Sequence, residues 1–338
     1  MLTINGDMGE GGGQILRTAL TLSLCLGRAF RIVHIRKRRK KPGLRPQHLA
    51  AVEAAAAISR ADVHGAGRGA QEIVFSPNKL TPGDYRFDIG TAGSTSLVLQ
   101  TLLPALLTAP APSRVTLLGG THNPLAPTFE FLDYVYLPLL RRMGARVTAR
   151  LDRAGFYPLG GGSMTVEIEP VAQLQPLTLL ERGKIQSLTA HALLAHLPEH
   201  IAQRELQVLQ TELQLDRSKL HTHLLDNAQG QGNALLLVIE SEHCNEVISG
   251  FGRRGLRAEK VAQQVVDDAR RYLDASVPVG QHLADQLILL LVLAGGGSYR
   301  TLEPDSHTRT NIDAIRVFTE AEIRCDQEDS KRWRVAVH

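Results

Sequence analysis

The sequence predicts an α/β protein made of three copies of one two-helix unit, with a smaller inserted α/β domain. Two observations lead to that fold class. The first is repetition: a glycine-containing turn followed by a long apolar run occurs three times. The segments begin Gly11-Gly12-Gly13-Gln14-Ile15-Leu16-Arg17, Ala92-Gly93-Ser94-Thr95-Ser96-Leu97 and Val279-Gly280-Gln281-His282-Leu283-Ala284. Each run has the length and composition of a helix buried on most of its surface. A second helical stretch follows near Gln47, Pro127 and Asn311, at offsets of 34, 34 and 31 residues from Gly13, Gly93 and Gly280. Matching offsets at three places mark a repeated unit. The second observation is uneven spacing. Gly13 to Gly93 is 80 residues, but Gly93 to Gly280 is 187, an excess of 107. That excess is room for a domain with its own core. The expected division is a main body of residues 1–182 plus 277–338 and an insert of residues 183–276.

Short β-prone runs fall between the helices, at Phe30–Ile35, Glu72–Phe75, Val115–Leu118, Thr165–Ile168 and Arg334–Val337. Inside the insert, Leu235–Ile239 reads as a strand and Ala258–Leu273 as an amphipathic helix.

Composition removes several classes. With 43% hydrophobic and 21% charged residues, the 338-residue chain is globular rather than disordered. Its longest apolar run, Leu287–Ala294, is eight residues, against the roughly 18–20 of a membrane span. Asp7 and Glu10 interrupt the place where a secretory leader would be apolar. Cys25, Cys244 and Cys325 are odd in number and widely spaced, which disfavours a disulfide framework and suits a reducing cytoplasm. The net charge is only +4, yet residues 1–50 hold ten Lys/Arg against two Asp/Glu. Such concentration suggests a phosphate-rich partner.

Three clusters could carry chemistry. Gly9-Glu10-Gly11-Gly12-Gly13 opens the first apolar helix. Its backbone N–H groups could cradle an anion, with Glu10 holding a hard cation and Arg17 clamping a phosphoryl oxygen. A plain helix-capping turn reads the same way. The basic run Arg36-Lys37-Arg38-Arg39-Lys40-Lys41 is either a phosphate-binding loop or a solvated one. His307 lies in a loop before the last helical stretch, where a neutral imidazole is a competent nucleophile near pH 7. Most single histidines serve no such purpose. Gln100 and Asp285-Gln286 interrupt otherwise apolar helices and need polar partners, from the core or from a ligand. His221-x-His223 and the set His191, His196 and His200 read as surface histidines, with no convergent third and fourth zinc ligands to be found.

Taken together, the motifs resemble those of the RNA 3′-terminal phosphate cyclase family. The matching stretches are Gly9-Glu10-Gly11-Gly12-Gly13-Gln14-Ile15-Leu16-Arg17, Lys41-Pro42-Gly43-Leu44, Gln47-His48-Leu49, Gly119-Gly120-Thr121 with Asn123-Pro124, Gly155-Phe156-Tyr157-Pro158, Leu283-Ala284-Asp285-Gln286 and the His307 loop ending Thr310-Asn311. They occur in the family's order and span essentially the whole chain.

The resemblance implies a fold like that of enolpyruvyl transferases, with three units of two helices on a four-stranded sheet. It implies ATP-dependent conversion of an RNA 3′-phosphate to a 2′,3′-cyclic phosphodiester, through a histidine–AMP adduct and an RNA-adenylate anhydride. His307 matches the nucleophile. Glu10 matches the position that engages Mg²⁺ or Mn²⁺ on the ATP phosphates. Arg17, Arg36, Arg39 and Gln47 match polar positions around the transferred phosphate. Gln100, Pro127, Phe131, Asp285 and Gln286 match the nucleoside pocket, with Leu283 and Ala284 in the same motif. His282 departs from the pattern, standing where relatives can carry a Tyr that stacks on adenine. The implied partner is RNA with a 3′-phosphate end, in the cytoplasm, with no membrane and no stable protein partner; a homodimer stays open. A non-catalytic RNA-binding relative would lack the nucleophile, and enolpyruvyl transfer would need neither His307 nor the basic run.

Overall fold

In the computed structural model, which describes residues 1–338, the chain forms four four-stranded sheets. The first unit comprises β1 (Leu2–Asn5), α1 (Gln14–Leu26), β2 (Phe30–Val33), α2 (Pro46–Ser59), β3 (Asp62–His64) and β4 (Ile73–Ser76). The second comprises β5 (Asp84–Asp88), α3 (Thr95–Leu106), β6 (Ser113–Gly119), a helical stretch, β7 (Arg146–Arg153) and β8 (Gly162–Glu169). That stretch runs through α4 (Phe129–Phe131), a π-turn over Leu132–Tyr136 and α5 (Leu137–Arg142).

The third unit starts with β9 (Leu177–Leu179) and is then interrupted by β10 (Ile185–Ala195), α6 (His200–Leu213), β11 (Leu220–Leu224), β12 (Gly232–Ser241), β13 (Glu246–Phe251) and α7 (Ala258–Ala275). It resumes with α8 (Gln281–Leu293), β14 (Gly297–Thr301), α9 (Ser306–Phe318), β15 (Ile323–Gln327) and β16 (Trp333–Val337).

The strand orders β1-β2-β4-β3, β5-β6-β8-β7 and β9-β14-β16-β15 are the same order three times. In each, the first two strands pair in parallel and the remaining pairs are antiparallel. A parallel pair demands a crossover, and the first helix of each unit supplies it. The repetition expected from equal helix offsets is therefore present at the level of topology.

The interrupting segment builds its own sheet, in the order β11-β10-β12-β13. Alternation along its strands splits the side chains between two cores. Ala190, Ala192 and Leu194 pack with Ala202, Leu209, Val261 and Val265 from α6 and α7. Leu193 and Ala195 face the other way and join the core of the three units, together with Ala234 and Leu236. This sheet is thus covered on both faces.

Some expected boundaries move, for local reasons. The strand expected over Phe30–Ile35 ends at Val33, because His34 and Arg36 take φ of 57° and 52° and turn the chain. The helix expected from Pro127 starts at Phe129, where the Thr128 hydroxyl accepts the Phe131 N–H at 3.1 Å. The last helix starts at Ser306, not near Asn311, since the Asp305 carboxylate accepts the Thr308 N–H at 2.8 Å and caps it. His307 consequently sits in the first turn of α9 and not in a loop. No helix is long and apolar enough to cross a membrane.

Candidate active site where the first and third units meet

The glycine segment between β1 and α1 touches α9 from the far end of the chain. Gly9 and Gly11 adopt φ of 55° and 60°, open to glycine at little cost. A Cβ on Gly9 would lie 2.1 Å from Thr310 Oγ1, so only glycine permits this approach. The same hydroxyl accepts the Glu10 backbone N–H at 3.0 Å. Asn311, next along α9, accepts from Thr18 Oγ1 at 2.6 Å and donates to the Asp285 carbonyl at 2.6 Å, tying α1 and α8 to one residue. Residues three and four apart share a helix face, so the face of α9 that carries Thr310 and Asn311 also carries His307.

That packing brings His307 Nδ1 to 3.8 Å from Glu10 Oε1. The carboxylate is 8% exposed and the imidazole 52% exposed. A half-open imidazole beside a sheltered acid can meet a ligand from solvent while the acid keeps a fixed position.

The basic run divides in two. The Arg36 guanidinium donates to the carbonyls of Lys41 and Gly43, both at 2.8 Å, and closes the loop. Arg38 pairs with Asp7 at 3.0 Å. Arg39 pairs with the Glu10 carboxylate and donates to the Glu10 carbonyl at 2.9 Å. Lys37, Lys40 and Lys41 are exposed and make no ion pair. Half of the apparent phosphate-binding charge is committed within the protein.

Around the glycine segment, Arg17 is part-buried and donates to Gln14 Oε1 at 2.7 Å. Burial lowers its pKa, and Asp285 and Glu10 oppose that shift. Gln47 accepts the Ser94 N–H at 3.0 Å and so links the first and second units.

Its neighbour His48 was not among the expected site residues. His48 Nδ1 accepts the Arg45 N–H at 3.1 Å, which assigns the ring proton to Nε2. Burial, with Arg17, Arg36 and Arg45 nearby, pushes His48 down to about 3, so it is neutral. Nε2 lies where a Cβ on Gly13 would be, 2.4 Å from that position, and offers a donor at the glycine segment. The signal in the sequence was only its place after Gln47.

The expected nucleoside residues fall into two groups. Gln100 on α3 donates to Gln286 Oε1 on α8, and Gln286 donates in turn to the His282 carbonyl. The two glutamines that interrupt apolar helices are therefore each other's partners across units. Burial raises Asp285 to about 7, with Asp305 adding and Arg17 opposing. Burial also lowers His282, and His307 contributes to that shift. Pro127 is held against α3 through its carbonyl, which accepts Ser96 Oγ at 2.6 Å.

Leu283, Ala284 and Phe131 belong to the core, at 0%, 2% and 4% exposure. Leu283 and Ala284 hold α8 in place, and the Ala284 carbonyl accepts from buried Tyr299.

Around Glu10 no further His, Cys, Asp or Glu donors converge to make a metal cage. Glu10 alone still suits a hard cation that arrives with its phosphates, because Mg²⁺ is usually held by one or two carboxylates plus substrate oxygens.

Residues 8–325 match the family model described as RNA 3′-terminal phosphate cyclase. Curated relatives named RNA 3′-terminal phosphate cyclase align along almost their full length. The protein of Pseudomonas fluorescens is 51% identical over 98% of this chain and 97% of its own. That of Koribacter versatilis is 48% identical over 98% of this chain and 93% of its own. That of Salmonella typhimurium is 46% identical, covering 98% and 97%. The enolpyruvyl transferase NikO from Streptomyces tendae aligns at 11% identity, covering 99% of this chain and 48% of its own, with a TM-score of 0.36. A likeness of that size bears on neither fold nor activity.

Proposed function

Because the chain belongs to the RNA 3′-terminal phosphate cyclase family, we propose that it cyclises RNA 3′-phosphate ends with ATP, through a covalent adenylate on His307. The observation that supports this most is the meeting of His307 with Glu10, brought together from opposite ends of the chain.

With Nδ1 on the carboxylate side, Nε2 is the ring nitrogen left to attack the α-phosphorus of ATP. A P–N bond forms, the α–β P–O bond breaks and pyrophosphate leaves. A 3′-phosphate oxygen of the RNA then attacks the adenylate phosphorus and returns the electron pair to His307. The neighbouring 2′-OH, losing its proton, attacks the 3′-phosphorus and expels AMP. A divalent cation held by Glu10 would neutralise charge on the phosphates; Arg39, beside the same carboxylate, is placed to donate to phosphoryl oxygens. Arg17, Arg36, Gln47 and the Nε2–H of His48 complete a set of preplaced donors, the arrangement that stabilises developing charge.

Residues 1–182 with 277–338 form the catalytic body in this reading, and residues 183–276 an inserted domain holding no catalytic side chain. The three free cysteines suit a cytoplasmic location.

The test is incubation of purified protein with α-labelled ATP and Mg²⁺ or Mn²⁺, followed by addition of a 3′-phosphorylated oligoribonucleotide. An acid-labile, alkali-stable adduct should form, then discharge as the cyclic end appears. Folded protein that forms no adduct with either metal would remove the reading.

Two further expectations arise from the site. Asp285 titrates near pH 7, and ribose hydroxyls donate better to its ionised form. KM for ATP should then be flat above pH 8 and rise about tenfold by pH 6. Asp285→Asn should flatten that profile, and an unchanged profile in the variant would rule out this residue as its origin. The free lysines give the second. Replacing Lys37, Lys40 and Lys41 by Ala should reduce the slope of log K against log salt for RNA binding by about 2. Adenylation in the absence of RNA should be unaffected.

A further inference from the structure

Thirteen histidines are present in the chain, and three of them meet away from the site described above. His191 on β10 pairs in register with His221 on β11, and His223 lies two residues on, so all three project from one face of parallel strands. It is the face opposite α6 and α7. Ring centres are 4.9 Å apart for His191 and His221, 5.3 Å for His191 and His223, and 6.5 Å for His221 and His223. His191 Nδ1 is 3.0 Å from His223 Nε2, and His191 Nε2 is 3.1 Å from Thr189 Oγ1.

We propose that His191, His221 and His223 form a binding site for one divalent transition-metal ion of the zinc, cobalt or nickel class. Three imidazoles on one tetrahedral ion, at about 2.0–2.1 Å, put their ligating nitrogens about 3.3 Å apart and their ring centres about 5 Å apart. The ring-centre spacings are close to this for two of the three pairs; the rings lie near-parallel and do not yet converge on one point, so His221 must turn to bring its nitrogen to the ion. In the metal-free chain His191 and His223 hydrogen-bond to each other, and the ion takes the place of that bond. His223 is exposed and His221 part-buried, so both rings have room to turn.

The protein around the cluster suits the ligand form. Thr189 Oγ1 is within hydrogen-bonding distance of His191 Nε2; in the tautomer that donates to it, the Nδ1 lone pair is left for the ion, and such an outer hydrogen bond orients a ligating ring. Neutral imidazole is the form of histidine that ligates a metal. Imidazole selects Zn²⁺, Co²⁺ or Ni²⁺ over the hard ions that carboxylates prefer, so this site and Glu10 would take different metals. An ion here would pin the edge strand β11 to β10, where the inserted sheet meets the second unit.

The test uses the full-length, untagged protein without ATP or RNA. Titration with Zn²⁺ by calorimetry should give one site per chain, and Co²⁺ should develop the visible absorption of a tetrahedral nitrogen-rich site. His191→Ala and His223→Ala should each lose at least about tenfold in affinity, whereas His196→Ala should not. Circular dichroism of each variant, and of His191→Gln, separates loss of ligand from loss of fold. Absence of stoichiometric binding, or equal affinity in folded His191→Ala and wild type, would overturn the proposal. Because His191 and His223 take no part in adenylation, all these variants should form the His307 adduct normally. Failure of the metal site is thereby distinguishable from failure of the cyclase reading.

Discussion

On the proposed function, His307→Ala is expected to abolish covalent labelling by α-labelled ATP, and with it all cyclisation, while the chain stays folded. The loss is complete rather than graded, because the variant has no nitrogen to hold the AMP. The fold should be unaffected because His307 is half exposed and approaches the Glu10 carboxylate no nearer than 3.8 Å. Surface changes of that kind shift stability by about 0.5 kcal/mol or less. The cap that starts α9 is provided by Asp305, not by His307. Single-turnover labelling with both proteins, alongside thermal melts, is the check. A variant that still formed the adduct at the wild-type rate would show that another residue is the nucleophile.

Gly9→Ala is expected to slow adenylation by about 100-fold without touching any group that takes part in chemistry. The added methyl would stand 2.1 Å from Thr310 Oγ1 and 2.9 Å from Thr310 Cβ. Thr310 Cβ cannot swing away as a long side chain would, so the first turn of α9 must retreat. His307 moves with it, since it lies three residues earlier on the same face. A misplacement of about 1 Å costs on the order of 100-fold in rate. The positive φ at Gly9 and the overpacking add about 1–3 kcal/mol of destabilisation. The double variant Gly9→Ala with Thr310→Ala relieves the clash and should recover part of the rate. Wild-type adenylation by Gly9→Ala alone would contradict the tight seating of the glycine segment on α9.

Much of this site was legible before folding, and the reasons are local. Gly9 to Gly13 next to an apolar run is readable because positive φ and close backbone approach are glycine's own properties. Gln100 and Gln286 stood out because each breaks an apolar stretch. The basic run was only half legible. Charge counting cannot tell which of the six cations face a ligand, and Arg36, Arg38 and Arg39 each also bond within the protein, to Gly43, Asp7 and Glu10. His48 was missed because its neutrality depends on burial and on Arg17, Arg36 and Arg45 standing around it. Leu283, Ala284 and Phe131 read as apolar positions of long helices, and they are buried.

By itself the sequence determined the long buried helices, several of the strands, the threefold recurrence of one unit and the residue types available for chemistry. These depend on periodicity, glycine conformations and spacing within a few dozen residues. Only the tertiary structure decided which residues meet. Glu10 and Thr310 are 300 residues apart and within hydrogen-bonding distance. His191 and His223 are 32 apart and joined through neighbouring strands. Such meetings follow from how buried helix faces and strand registers fit one another, and spacing along the chain holds no trace of that fit.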